Sequence, residues 1–294
     1  MSITSYICLL TIISQIKNWK YPAAQRPVIL ICLIPILIGW ESWAVLVLGE
    51  ILGALEFVTD IAKAIGVICF NRYVVRILGW DEEDSKFIFN RSKAERELCL
   101  LGEIKFPCKC CKPLSIESEE QAKGYINRVS ISGIQFFIVV VFVFILSIVV
   151  YAVTDQENLQ YAYMDIDSAY LWTSALKTIS MVFAIYNMIL FSGAAARFED
   201  STGFKLRHKF RTVQIAFLLT QPQALVIGFL ADFGWIADED DGGSESIALF
   251  TLNLVLCTEM VVLAFVMSVV FSANDYNSPP KHTELRENLL DNAK

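Results

Sequence analysis

One stretch of the chain constrains its fold more than any other. Residues 129–154 form 26 consecutive positions without a charged side chain. Lipid offers the backbone no hydrogen-bond partners, so a chain crosses a bilayer as a closed barrel or as a helix of roughly 20 mostly apolar residues. A barrel would show short alternating strands instead of one continuous apolar run, so a porin-like barrel is excluded. The stretch therefore predicts a membrane-spanning helix.

Further apolar stretches make this an all-α, polytopic membrane protein with seven predicted transmembrane helices. The chain is 55% hydrophobic and 19% charged, whereas a soluble domain carries about 25% charged residues. The first stretch has 14 residues, about 21 Å of helix, so we expect either a short isoform or a chain that begins inside its first helix. The approximate predicted spans are 3–16, 28–48, 51–73, 133–153, 168–192, 212–231 and 246–273.

Basic residues in the links between the spans predict the orientation. Residues 17–27, 72–128 and 197–211 carry three, eleven and five Lys or Arg, and the tail carries three. The links at 152–168 and 232–245 carry none, and the short link around Gly49 has no basic residue either. This alternation follows the positive-inside rule. We therefore expect the N-terminus outside, and the C-terminus, the loop 74–130 and the tail 277–294 in the cytosol.

Three charged residues of the third predicted helix share one face. Glu56, Asp60 and Lys63 lie at positions i, i+4 and i+7. A charge inside a spanning helix costs roughly 2.5–3.5 kcal/mol on insertion scales, so each must face protein, water or an opposite charge. Two interpretations stay open: a polar stripe that lines a solute path, with Lys63 available to an anion, or an Asp60–Lys63 pair near the outer leaflet.

Other polar residues inside the spans are also candidates. Glu259 lies near the midplane of the last span. It is either a functional carboxylate or part of a hydrogen-bonded contact between helices. Lys177 faces an anionic solute or snorkels outward. Pro222 predicts a kink near Thr220 in the sixth span. The candidate residues for a solute path are Glu56, Asp60, Lys63, Lys177, Gln214, Gln223 and Glu259.

The predicted cytosolic loop contains a cysteine cluster, Cys108, Cys110 and Cys111. A single cluster without a second Cys or His pair is a weak zinc signal. In a loop beside the membrane we interpret it as a site of reversible acylation, with an inert reduced cluster as the alternative. The chain has two histidines and no metalloprotease, P-loop or dinucleotide motif, so we predict no enzyme, metal site or cofactor.

Short motifs also occur in a characteristic order within and beside the spans. They are Pro22-Ala-Ala-Gln25-Arg26, Pro35-Ile36, Ser42-Trp43, the Cys-rich stretch 108–111, Lys209-Phe210-x3-Gln214, Leu219-Thr220, Gln221-Pro222 and Leu252-x-Leu254-x3-Thr258-Glu259-Met260. Over roughly residues 20–276 the chain resembles the organic solute transporter alpha-subunit family. The resemblance implies seven helices and facilitated, bidirectional movement of amphipathic organic anions such as bile acid and steroid conjugates. It also implies an alpha-like subunit that works with a small single-pass beta subunit.

From residues and resemblance together, the sequence predicts a passive solute carrier in the plasma membrane, with the endosomal membrane as the alternative location. The expected partners are the lipid bilayer, a single-pass beta subunit and further copies of the chain; no nucleic acid is expected. Two other functions stay open. A seven-pass receptor has the same topology, although Asn71-Arg72-Tyr73 replaces the Asp-Arg-Tyr string of such receptors. A trafficking or scaffold protein would use the cytosolic loop without moving any solute.

The orientation can be tested at Asn90, the one Asn-x-Ser/Thr acceptor in the sequence. Because the predicted topology places it in the cytosol, we expect no N-linked glycan. Treatment of the protein from eukaryotic cells with an endoglycosidase should leave its mass unchanged. A mass shift that disappears in Asn90→Gln would reverse the predicted orientation.

Overall fold

The computed structural model describes residues 2–48, 53–83, 86–100, 103–104, 114–154, 169–195, 205–232 and 244–276. These residues form mainly helix. The long helices are α1 (Ser2–Lys17), α2 (Pro22–Leu48), α3 (Gly53–Leu78), α5 (Glu119–Thr154), α6 (Ala169–Ala195), α7 (Leu206–Asp232) and α8 (Ser244–Val270). A short helix, α4 (Arg91–Leu100), lies between α3 and α5, and a 3-10 turn (Ala273–Tyr276) follows α8.

Two short antiparallel hairpins, which the sequence analysis did not predict, accompany α4. Strand β1 (Trp80–Glu83) pairs with β2 (Lys86–Phe89), and β3 (Glu103–Ile104) pairs with β4 (Leu114–Ser115). Both lie in the region predicted to be a cytosolic loop. They add small sheets beside the helices and leave the all-α class of the described bundle unchanged.

Local capping explains where two of the helices begin. Asn90 precedes α4, and its side-chain oxygen accepts a hydrogen bond from the Lys93 backbone N–H at 3.2 Å. Ser118 precedes α5 and accepts from the Gln121 N–H at 3.3 Å, while the Gln121 side chain accepts from the Glu117 N–H at 2.9 Å. Such reciprocal bonds satisfy donors that a helix start leaves unpaired. Helix α5 therefore begins at Glu119, well before the predicted span that starts at residue 133.

The seven long helices pack as a ring. In chain order each one contacts the next, with α3 followed by α5, and α8 closes the ring against α1. Contacts between α2 and α8 and between α3 and α6 cross the middle, and α3 also touches α7. Helix α3 thus contacts four of the other long helices.

The bundle carries the surface of an integral membrane protein. Among the described residues, four helical segments are long and apolar enough to cross a bilayer: Pro22–Leu48, Glu119–Val150, Trp172–Ala195 and Ile247–Tyr276. On α5 the outward face includes Ile138 and Phe142, which are 59% and 55% exposed. A contiguous apolar surface of this kind belongs in lipid. Helix α1 is apolar but shorter, and the seven crossings and the orientation stay predictions.

Close packing between α2, α3 and α7 occurs at Gly66. A β-carbon at this position would overlap Cδ1 of Ile34 and lie 3.0 Å from Cζ of Phe217. Ile34 and Phe217 are themselves 2% and 0% exposed, so both belong to the buried core. The absence of a side chain at Gly66 therefore allows three helices to approach one another.

We expect Gly66→Leu to destabilise the bundle by about 1–3 kcal/mol, because added side-chain volume in a packed core displaces its neighbours. Gly124 on α5 is the matched control, since nothing lies within 4 Å of the β-carbon position there. Thermal melting of the detergent-purified variants measures the effect. Equal melting temperatures for Gly66→Leu and Gly124→Leu would contradict close packing at Gly66.

Candidate functional site: a charged cluster between α3 and α6

A lysine of α6 joins two carboxylates of α3. The Nζ atom of Lys177 lies 2.8 Å from Oε1 of Glu56 and 2.9 Å from Oδ2 of Asp60. Glu56 and Asp60 reach the same ammonium because they are one helical turn apart on one face. The cluster therefore ties α3 to α6 by two charge-assisted hydrogen bonds, which are stronger than neutral ones.

A second lysine completes the buried side of this cluster. Nζ of Lys63 lies 3.1 Å from Oδ1 of Asp60, so Asp60 holds one lysine on each of its two oxygens. Glu41 of α2 lies close enough to interact with Lys63 and with Thr59. We call Glu41, Glu56, Asp60, Lys63 and Lys177 the charged cluster. It connects helices α2, α3 and α6.

The side chains of these ion pairs are largely buried. The side chains of Asp60 and Lys63 are 6% and 9% exposed, and that of Lys177 is 15% exposed. Ions removed from water lose solvation that only close opposite charges and hydrogen bonds replace. When all are ionised, the cluster holds three carboxylates and two ammonium groups. It therefore carries one net negative charge.

Glu56 lies in the first turn of α3, whereas Asp60 and Lys177 lie further inside their helices. Lys177 is eight residues from the start of α6, and Asp60 is seven residues from the start of α3. At 1.5 Å per residue these positions lie about 10–12 Å along the helices. The pairs are therefore set deeper than side chains at the helix ends.

A second polar contact joins α7 to α8. The Gln223 side-chain amide donates to Oε1 of Glu259 at 3.3 Å. The remaining oxygens, Oε1 of Gln223 and Oε2 of Glu259, are buried and have no hydrogen-bond partner among the described residues. Gln214 is half-buried on α7, and no hydrogen bond between described residues links Gln223 or Glu259 to the charged cluster.

The structure gives the contacts of several predicted site residues. Lys177 turns toward α3 and does not snorkel outward. Asp60 and Lys63 pair, as one interpretation held, and Lys177 joins them. Glu259 makes a contact between helices. Cys108, Cys110 and Cys111 lie outside the described residues, and within the described ranges no three His, Cys, Asp or Glu side chains come close enough to hold a metal ion.

The sequence analysis did not predict a buried ion pair at the start of α7. It lies beside the ends of α3 and α8. Nζ of Lys209 lies 2.6 Å from Oδ2 of Asp275 and donates to the Tyr73 hydroxyl at 3.0 Å. The Lys209 side chain is 1% exposed. Lys209 belongs to one of the motifs that carry the family resemblance. The available signal was a lysine next to the start of a predicted span, where a buried charge needs a partner.

Glutamine and tyrosine side chains extend this inner network to α1 and α2. The Gln15 amide donates to the Phe271 carbonyl at 2.7 Å, and the Gln25 amide donates to the Asn18 carbonyl at 2.7 Å. The Tyr21 hydroxyl donates to the Arg76 carbonyl at 2.7 Å. Burial raises the pKa of Tyr21, so its hydroxyl keeps the proton that it donates. The C-terminal ends of α1, α3 and α8 therefore meet the N-terminal ends of α2 and α7.

Fold and site together define a class: an integral membrane protein in which buried ionised side chains join the helices to one another. Comparison with known proteins makes the class specific. The sequence model of the family described as organic solute transporter Ostalpha matches residues 1–276, and the chain belongs to this family. No solved structure matches the chain.

Similar proteins come from a plant and an amoeba. The chain is 23% identical over 276 residues to protein LAZ1 homolog 1 of Arabidopsis thaliana, covering 90% of this chain and 54% of that protein. It is 21% identical over 282 residues to protein LAZ1 of the same plant, covering 93% and 56%. A transmembrane protein 184 homolog of Dictyostelium discoideum is 26% identical over 111 residues, covering 38% and 22%. The chain spans about half the length of the LAZ1 relatives.

We expect Lys209→Met to destabilise the protein by about 3–5 kcal/mol, because it leaves Asp275 buried without its partner. Lys205→Met is the control, since Lys205 lies four residues earlier and is exposed. Adding Asp275→Asn to Lys209→Met should recover part of the loss, because the double variant leaves no unpaired charge. Melting temperatures of the purified variants measure this. Equal melting of wild type and Lys209→Met would rule out the ion pair as a stabilising contact.

Proposed function

We propose that the protein is a facilitative transporter of amphipathic organic solutes, with anions such as bile acid and steroid conjugates as substrates. Family membership supports a transporter-like membrane protein. The observation that carries the proposal further is the charged cluster between α3 and α6, with Lys177 held by two carboxylates. Ionised groups inside membrane helices are expensive to keep and usually mark the route of a polar solute.

The position of the cluster supports a route along or through the bundle. Glu56 is 42% exposed, whereas its partner Lys177 is 15% exposed. A solute that approaches Glu56 therefore meets a charged group at the edge of the bundle and a second one behind it. The apolar faces beside the cluster suit the hydrophobic body of an amphipathic solute, and the ionised groups suit its charged end.

We further propose an alpha-like subunit role, with a small single-pass beta subunit or a second copy of this chain as partner, in the plasma membrane or, as the alternative, the endosomal membrane. Exposed apolar side chains on α5 and α8 offer surface for a partner helix as well as for lipid; examples are Ile145 at 54% and Phe265 at 62% exposure. In lipid, helices associate by close packing and by polar contacts.

Uptake of labelled taurocholate or a labelled steroid sulfate by expressing cells tests the proposal. We expect uptake above vector control with the chain alone or with a beta subunit. In Lys177→Met we expect uptake to fall by at least about tenfold, since a hydrogen bond to a charged group is worth roughly 1.5–3 kcal/mol. Surface expression of each variant is measured in parallel.

Lys123→Met provides the matched control, because Lys123 is exposed on α5. It should transport like the wild type at equal surface expression. No uptake by the wild type, with or without a beta subunit, would contradict the proposed function. Equal uptake by Lys177→Met and wild type would show that the charged cluster is not part of the solute route.

A further inference from the structure

We propose that Lys177 binds the anionic end of the solute and that Glu56 is a built-in competitor, which occupies Lys177 until a sulfate or carboxylate displaces it. This inference rests on the proposed transport function and assigns the anion-binding group within it. Two carboxylates, Glu56 and Asp60, hold Lys177. They differ in exposure and in the number of their partners.

Glu56 is the carboxylate that can leave. Its side chain is 42% exposed, and the ion pair with Lys177 is its one salt bridge among the described residues. Half-exposed ion pairs are worth only about 0.2–1 kcal/mol, because water solvates the separated carboxylate almost as well. Release of Glu56 therefore subtracts little from the binding free energy that a solute carboxylate or sulfate gains at Lys177.

Asp60 is the carboxylate that stays. Its side chain is 6% exposed, and its two oxygens bind Lys63 at 3.1 Å and Lys177 at 2.9 Å. Separating a buried carboxylate from its partners leaves an uncompensated charge, which is strongly destabilising. Asp60 therefore keeps the Lys177 ammonium in position while Glu56 exchanges.

Lys177 is also the better placed of the two lysines. Lys63 is 9% exposed, and Asp60 is its salt-bridge partner. Lys177 is more exposed, at 15%, and its second partner is the half-exposed Glu56. An ammonium group has three donors, and Glu56 and Asp60 accept two of those of Lys177.

Charge balance explains why a competitor is useful. With Glu56 in place and all five groups ionised, the charged cluster has one net negative charge. When Glu56 moves into water, the remaining two carboxylates and two lysines are neutral overall. The bound anion then restores the original net charge. The exchange keeps the charge inside the bundle constant, and keeps Lys177 paired in both states.

The test compares Glu56→Gln with Glu41→Gln. Both remove one carboxylate from the charged cluster, but Glu41 interacts with Lys63 and Thr59, whereas Glu56 pairs with Lys177. We expect Glu56→Gln to lower the KM for taurocholate by about two- to fivefold, which corresponds to the free energy of a half-exposed ion pair. Glu41→Gln should shift the KM by a smaller factor. Surface expression and melting temperature confirm that both variants fold.

Binding of labelled taurocholate to the purified protein separates this inference from the transport function. The protein is held in nanodiscs of phosphatidylcholine alone, so no anionic lipid competes for Lys177. Tighter binding by Glu56→Gln than by wild type, without uptake in cells, supports the anion site and rejects transport. If the wild type takes up taurocholate but the KM of Glu56→Gln is unchanged or raised, Glu56 is not a competitor. The proposed transport function is then unaffected. No binding by either protein overturns the inference.

Discussion

A charge buried among membrane helices must be paired, and in this protein that constraint acts on α3 at two places. Toward the start of α3, Asp60 holds Lys177 of α6 and Lys63 of its own helix. Toward its end, Tyr73 accepts a hydrogen bond from Lys209 of α7, which is also paired with Asp275 beyond α8. Helix α3 is thus fixed to its neighbours by directional polar contacts as well as by apolar packing. Removing one partner from either place leaves a buried ion.

Hydropathy and charge counts predict much of the helical order but little of its detail. The long uncharged run at 129–154 lies wholly within α5, and Glu56, Asp60 and Lys63 share a helix face as their spacing predicted. The start of α5 at Glu119 was missed because capping by Ser118 extends the helix beyond its apolar part. Periodicity describes a helix face, whereas a cap depends on single hydrogen bonds.

The partners of the candidate residues could not be predicted for a related reason. Glu56 and Lys177 are separated by 121 positions, and Lys209 and Asp275 by 66. No local pattern relates residues so far apart; their pairing follows from how the helices assemble into a ring. The sequence could show that each charge needs a partner. It could not show that Asp60 would hold two lysines or that Tyr73 would join Lys209.

The two ion pairs beside α3 differ in how easily they can open. Lys209 is 1% exposed and its partner Asp275 is 14% exposed, so neither ion gains full hydration when they separate. Glu56 is 42% exposed and regains water at once. Because the free energy of breaking an ion pair falls as its ions regain solvent, the contact between Glu56 and Lys177 is the weaker one. Glu56 is therefore released more easily than Lys209, while the buried contact between Asp60 and Lys177 keeps α3 joined to α6.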